Sequence, residues 1–127
     1  MVKTLSFSSA SILIKIKDGY LLWTSIVSHI PKCARYTIGT RIENKFLDLL
    51  ELSYHTYFTE KDKKIEKITE CISILDTLKF FIYISWEAKF ISPKSYESMT
   101  VILDTVGKMF GGWKKSLEIL EKKKDTS

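Results

Sequence analysis

Glycine and proline are scarce, with five of one and two of the other in 127 residues. These residues punctuate a chain with turns, so few turns are expected. No segment alternates apolar and polar residues with period two, which removes the half-buried strand. Together the absences predict an all-helical chain. Cysteine is equally rare: Cys33 and Cys71 stand in no metal spacing. Cys71 lies on an apolar helical stripe and reads as a buried free thiol, with no disulfide expected in a reducing compartment. His29 and His55 are isolated and read as structural or surface residues. There is no catalytic Cys, His and Asp cluster and no Gly-rich phosphate loop. A metal site in a bundle core needs inward pairs such as E-x-x-H, and the sequence has none. A non-catalytic protein without a cofactor is therefore expected. No apolar run approaches the ~20 residues that span a bilayer. MVKTLSFSS is too short and too polar for a signal peptide. The expectation is a soluble, cytoplasmic protein, with the polar EKKKDTS end frayed.

What is present is apolar surface and lysine. Apolar residues make up 45% of the chain, enough for a packed core in a single domain spanning 1–127. Twenty basic residues face fifteen acidic ones, for a net charge of +5. Eighteen of the basic residues are lysines, and Arg35 and Arg41 are the two arginines. The excess is uneven, since residues 1–50 alone carry a net +4. This is either a solvated lysine-rich surface or a basic face for nucleic acid.

The apolar period of 3.6 places helices at about 9–28, 38–58, 62–89 and 93–122. The first carries Ile12, Ile16, Tyr20, Trp23 and Val27, and Pro31 closes it. A loop, IPKCARYT, follows, with Thr37 as the expected N-cap of the second helix. Ile38, Ile42, Phe46, Leu49, Ser53 and Tyr57 form one stripe of that helix. FTEKDKK carries the next turn. Ile65, Ile68, Ile72, Leu75, Leu78, Ile82 and Trp86 mark the buried face of the third helix. Phe80, Phe81, Tyr83 and Ile84 give it a second apolar side, which needs another layer to cover it and argues for an oligomer. Ser92 followed by Pro93 is a strong helix start. Tyr96, Met99, Ile102, Val106, Met109, Trp113, Leu117 and Leu120 continue from it. Four long helices with short connections predict an up-down-up-down four-helix bundle.

Within the last helix lies VGKMFGGWKKSL. A Gly pair inside a helix costs about 2 kcal/mol against alanine. Gly111 and Gly112 are expected to repay this by close approach, within the bundle or at a subunit contact, with Trp113 supplying apolar area.

RYTIGTRIENKFLDLLELSY, LDTLKFFIYISWEAKFISPKSY and VGKMFGGWKKS occur in that order with short gaps. Over roughly residues 10–120 the chain resembles the Avd family, the accessory variability determinants of diversity-generating retroelements. That family is close to the four-helix-bundle proteins encoded by intervening sequences in ribosomal RNA genes, whose role is unknown. The resemblance implies a bundle that assembles into a homopentameric barrel. It also implies association with the retroelement reverse transcriptase and with RNA or DNA, supporting cDNA synthesis and mutagenic retrohoming, without catalysis. Lys79 occupies the basic position of the L-(K/R)-F stretch. It is either a functional charge or a lysine whose stem packs at a subunit contact while its head reaches solvent. Tyr83 stands one turn on, where relatives can carry a second basic residue. Arg41 and Lys45 share a helix face. With Lys32 and Arg35 they form either a phosphate-contacting end or pairs with Glu43 and Asp48. Lys108, Lys114 and Lys115 are a further basic group.

Overall fold

The computed structural model describes residues 10–126, and among them there is no strand. Helix α1 is Ser11–Val27. Helix α2 spans 32–56 in three pieces: a turn at Lys32–Ala34, a π-helical turn at Arg35–Gly39, and an α-helix at Thr40–Thr56. Helix α3 is Lys61–Glu87 and α4 is Pro93–Thr126. Each helix packs on its neighbours in the chain, and α4 closes the ring against α1. With short connections this is an up-down-up-down four-helix bundle.

The stripes that the 3.6 period marks on the first three helices meet at the centre, whereas α4 reaches it with Met99, Leu103, Val106 and Phe110. Of its expected stripe Ile102 and Met109 are half-buried and Leu120 is exposed, because the face turned to the core is set by the pairing with α1 and α3. Trp23, Phe46 and Phe110 are the largest fully buried side chains, packed with Ile16, Ile42, Leu49, Ile68, Leu75, Leu78, Ile82 and Met99. Burying each such side chain is worth about 1.5–3 kcal/mol. The helix lengths differ: α4 has 34 residues and α1 has 17. At ~1.5 Å per residue that is about 50 Å against about 25 Å, so α4 overhangs one end.

The boundaries correct the sequence reading in three places. The expected loop at 30–37 is helical from Lys32 onward. Pro31 opens that helix, its carbonyl accepting from the backbone N–H groups of Ala34 at 2.9 Å and Arg35 at 3.1 Å. Proline costs nothing at a helix start, where its missing N–H has no partner to lose. Thr37 is not an N-cap, because it lies in the second turn and its hydroxyl donates back to the carbonyls of Cys33 and Ala34. The residues expected to fray, 121–126, are helical. Glu and Lys are good helix formers, and Lys123 and Lys124 in the last turn suit the dipole. The expected start of the first helix at Ser9 lies outside the described residues. The start of α4 has the expected chemistry, with the Ser92 hydroxyl accepting from the backbone N–H of Ser95 at 3.0 Å.

The glycine pair also needs correction. Among the described residues no atom beyond the glycines' chain neighbours and their own turn of helix backbone lies within 4 Å of a Cβ built on Gly111 or Gly112. Close packing inside the bundle is therefore not their role. The helix register gives the reason. Gly19 faces Ile102, with 3.3 Å between a Cβ built there and the isoleucine methyl. Stepping along the antiparallel pair brings Ser11 level with Phe110, so the glycines fall past the start of α1. Trp113, next in sequence, is half-buried and stands 4.8 Å from the Tyr57 ring.

Candidate nucleic-acid and partner interface

The α3–α4 seam is built by antiparallel pairing. Trp86 stacks on Tyr96, with ring centroids 4.7 Å apart and planes 9° from parallel. The same pairing sets Lys79 opposite Asp104, with 3.0 Å from Nζ to a carboxylate oxygen. The two side chains are 40% and 51% exposed, so the pair is a surface one worth no more than about 1 kcal/mol. The Lys79 head thus reaches solvent and a carboxylate at once. Tyr83, one turn on, is 40% exposed and lies 6.1 Å from the Trp86 ring.

Arg41 lies on the other side of α3. Its guanidinium carbon is 5.4 Å from the centre of the Phe81 ring, a cation–π contact across the α2–α3 seam. Lys45 follows one turn later and is half-buried. Arg35 does not join them. Its Nε donates to the Ile30 carbonyl and a terminal nitrogen donates to that of Ser28, each at 3.0 Å. It closes the C-terminal end of α1, where carbonyls lack helical partners. Lys32 is exposed in the first turn of α2. Phe81 packs against the core from α3, whereas Phe80 beside it is 57% exposed on the outer face.

The remaining basic group gathers lysines that the sequence reading left in a turn. The antiparallel pairing brings the start of α3, with Lys61, Lys63 and Lys64, toward the part of α4 that carries Lys114 and Lys115. Lys64 Nζ is 6.0 Å from the centre of the Trp113 ring. Lys61 and Lys124 line one groove with Leu117, Leu120 and the carboxylates Asp62 and Glu121. The KDKK run was the available signal, but its meaning depends on which part of α4 stands beside it. Lys108 is exposed on α4, one turn from Asp104. The candidate cations therefore form separate groups: one seam on each side of α3, and one end of the bundle.

Among the described residues no group of three His, Cys, Asp or Glu side chains is placed to hold a metal ion. Cys71 is buried, with its sulfur 3.7 Å from the Ser53 hydroxyl. Burial pushes its thiol pKa up, outweighing the hydroxyls of Ser53 and Thr56, so its nucleophilic form is disfavoured. No helix among the described residues is long and apolar enough to cross a membrane.

The sequence model of the bAvd-like family matches residues 14–117. The chain belongs to the bAvd-like family. This match takes in part or all of each of the four helices and leaves the lysine-rich end of α4, residues 118–126, outside. Membership makes the chain an Avd-type accessory protein of diversity-generating retroelements, a non-catalytic kind of protein. No curated protein and no solved structure gives a match.

Proposed function

We propose that this protein binds the reverse transcriptase of its retroelement together with nucleic acid, and so supports cDNA synthesis and mutagenic retrohoming. The family match over residues 14–117 carries this reading. The lysine excess supports it, because lysine heads contact phosphates as point charges with little regard for sequence. Arg41, Lys45 and Lys32 on one side, and Lys108, Lys114 and Lys115 toward the other end, are the proposed contacts. Lys79 would serve by exchanging Asp104 for a phosphate or a partner carboxylate, at small cost for an exposed pair. Arg35 is assigned to holding the end of α1.

The proposed working form is a homopentameric ring in the cytoplasm. Five copies of a +5 chain carry +25, so weak contacts act together. Two features of the bundle support self-association. Phe80 is 57% exposed on the outer face of α3. Gly111 and Gly112 leave an open strip of helix where another backbone can approach, beside Trp113.

The test is co-purification with the reverse transcriptase encoded at the same locus, at low and high salt, with mass measured by light scattering. The expected result is a complex holding several copies of this chain, weakened by salt. A locus with a ribosomal RNA gene and no reverse transcriptase would transfer the chain to the intervening-sequence relatives. A reverse transcriptase that fails to bind at low salt would reject the proposed partnership.

A further inference from the structure

The RYTIG segment marks the one π-helical turn among the described helices. Most of its residues have evident structural work. Arg35 closes α1. Gly39 lies where a Cβ would come within 3.2 Å of the Ala34 carbonyl and the Val27 side chain, and its own carbonyl accepts from the Trp23 indole. The hydroxyl of Thr40 donates to the Arg35 carbonyl at 2.9 Å, inside the widened turn. Tyr36 has no such task. It is 74% exposed, the highest value among the exposed large apolar side chains. Its ring makes no aromatic contact and its hydroxyl no hydrogen bond among the described residues. π-turns concentrate at functional sites because they push a side chain out of helical register.

Tyr36 forms one wall of a groove of about 450 Å³, lined also by Thr37, Ile38, Thr40, Arg41 and Phe81. No carboxylate lines it. Lys32 stands one turn before Tyr36, and Lys45 one turn after Arg41, so cations bracket the groove along α2. The nearest acidic side chain of α2 on this face is Asp48, a turn beyond Lys45. Glu43 falls about 200° from Arg41 around the helix. An apolar peptide seated here would bury the Arg41 charge without a counter-charge, which is costly. A phosphodiester strand supplies that charge, and its bases supply flat faces for Tyr36.

We infer that this groove is a single-strand nucleic-acid subsite in which a base stacks on Tyr36 while Arg41, flanked by Lys32 and Lys45, holds the adjoining phosphates. Phe81 beneath Arg41 sets the guanidinium in place. Single strands are selected because a duplex keeps its base faces stacked and hidden from an aromatic side chain. The inference rests on the nucleic-acid reading above and adds the strand form and the residues.

The test is fluorescence anisotropy of the full chain with a labelled oligouridine RNA and with a labelled RNA duplex of matched length, over a salt series. The expected result is tighter binding to the single strand. Tyr36→Ala should weaken it about tenfold or more, from the lost stacking, while Tyr36→Phe stays near wild type. Arg41→Ala should weaken binding and lower the salt slope by about one. Tyr36 is too exposed for its removal to unfold the bundle, and an unchanged melting temperature checks this. If the wild-type chain binds neither RNA, the nucleic-acid reading itself fails. If it binds RNA and Tyr36→Ala does not change the affinity, or the duplex binds as well, this inference fails and that reading stands. Loss of self-association or of reverse transcriptase in Tyr36→Ala, with RNA affinity intact, would assign the groove to a protein and also overturn the inference.

Discussion

Lys89 is the one non-glycine residue with positive φ among the described residues, at 64°. It follows the last turn of α3, where the Phe90 N–H reaches back to the Ser85 carbonyl and the Lys89 N–H to that of Trp86, both at 2.9 Å. This is the six-to-one and five-to-two pattern that glycine ordinarily completes. A lysine there carries a Cβ clash that glycine lacks. Lys89→Gly is expected to stabilise the chain by about 0.5–1 kcal/mol, allowing for the looser unfolded chain. The check is the urea midpoint, which should rise with an unchanged slope. Lysine at this position was plain in SWEAKF, but its backbone angle was not, since only the closing hydrogen bonds force it. Arg35 shows the same limit. Its charge was legible as a possible phosphate contact, while the carbonyls it serves became visible only with the end of α1 folded against it.

At the scale of the helix, glycines with the same propensity cost do opposite things. A Cβ on Gly19 would come within 2.9 Å of the buried Phe46 ring and 3.3 Å of Ile102. A Cβ on Gly111 or Gly112 meets nothing described within 4 Å beyond its chain neighbours and its own turn of helix backbone. Gly19→Ala is therefore expected to destabilise the chain, its overpacking outweighing a gain of about 1 kcal/mol in helix propensity. Gly111→Ala and Gly112→Ala should each stabilise the isolated chain by roughly that propensity. Thermal or urea unfolding at concentrations where the chain is dispersed measures all three. Light scattering on the same variants then tests the proposed subunit contact, because an alanine pair that stabilises the chain yet lowers its assembled mass places another chain on that strip. Unchanged mass would remove the glycines from the contact. The periodicity of α4 was fully legible, whereas the emptiness around its glycines follows from α1 being half as long.

For the whole molecule, pH offers a probe of the core that salt does not. Burial raises the Cys71 thiol and the Tyr57 phenol above their ordinary values. Both groups are neutral in either state at low and neutral pH, so they contribute no slope there. Above the ordinary thiol pKa of about 8.5 the unfolded chain loses protons that the folded chain keeps. Stability is then expected to fall as pH rises through the ordinary values toward the raised native ones. Urea midpoints from pH 7 to 10.5 would follow this, a window reaching just past the ordinary phenol value of about 10. Cys71→Ala should lower overall stability but make the alkaline slope shallower. A slope unchanged by that substitution would show that the thiol is not its source.

The number and order of the helices, the buried stripes of the first three and the Ser92–Pro93 start followed from the sequence by itself. Each depends on residues within a few positions of one another, where spacing and capping chemistry operate. The resemblance in three ordered segments likewise pointed to the family that the match over residues 14–117 establishes. What only the tertiary structure decided concerns residues far apart in the chain: Lys79 with Asp104, Arg41 with Phe81, and Lys64 with Trp113. It also decided that RYTIG is helical and holds Tyr36 outward. These depend on the relative length and register of antiparallel helices. The sum of many small packing contacts sets that register, and no local pattern encodes it.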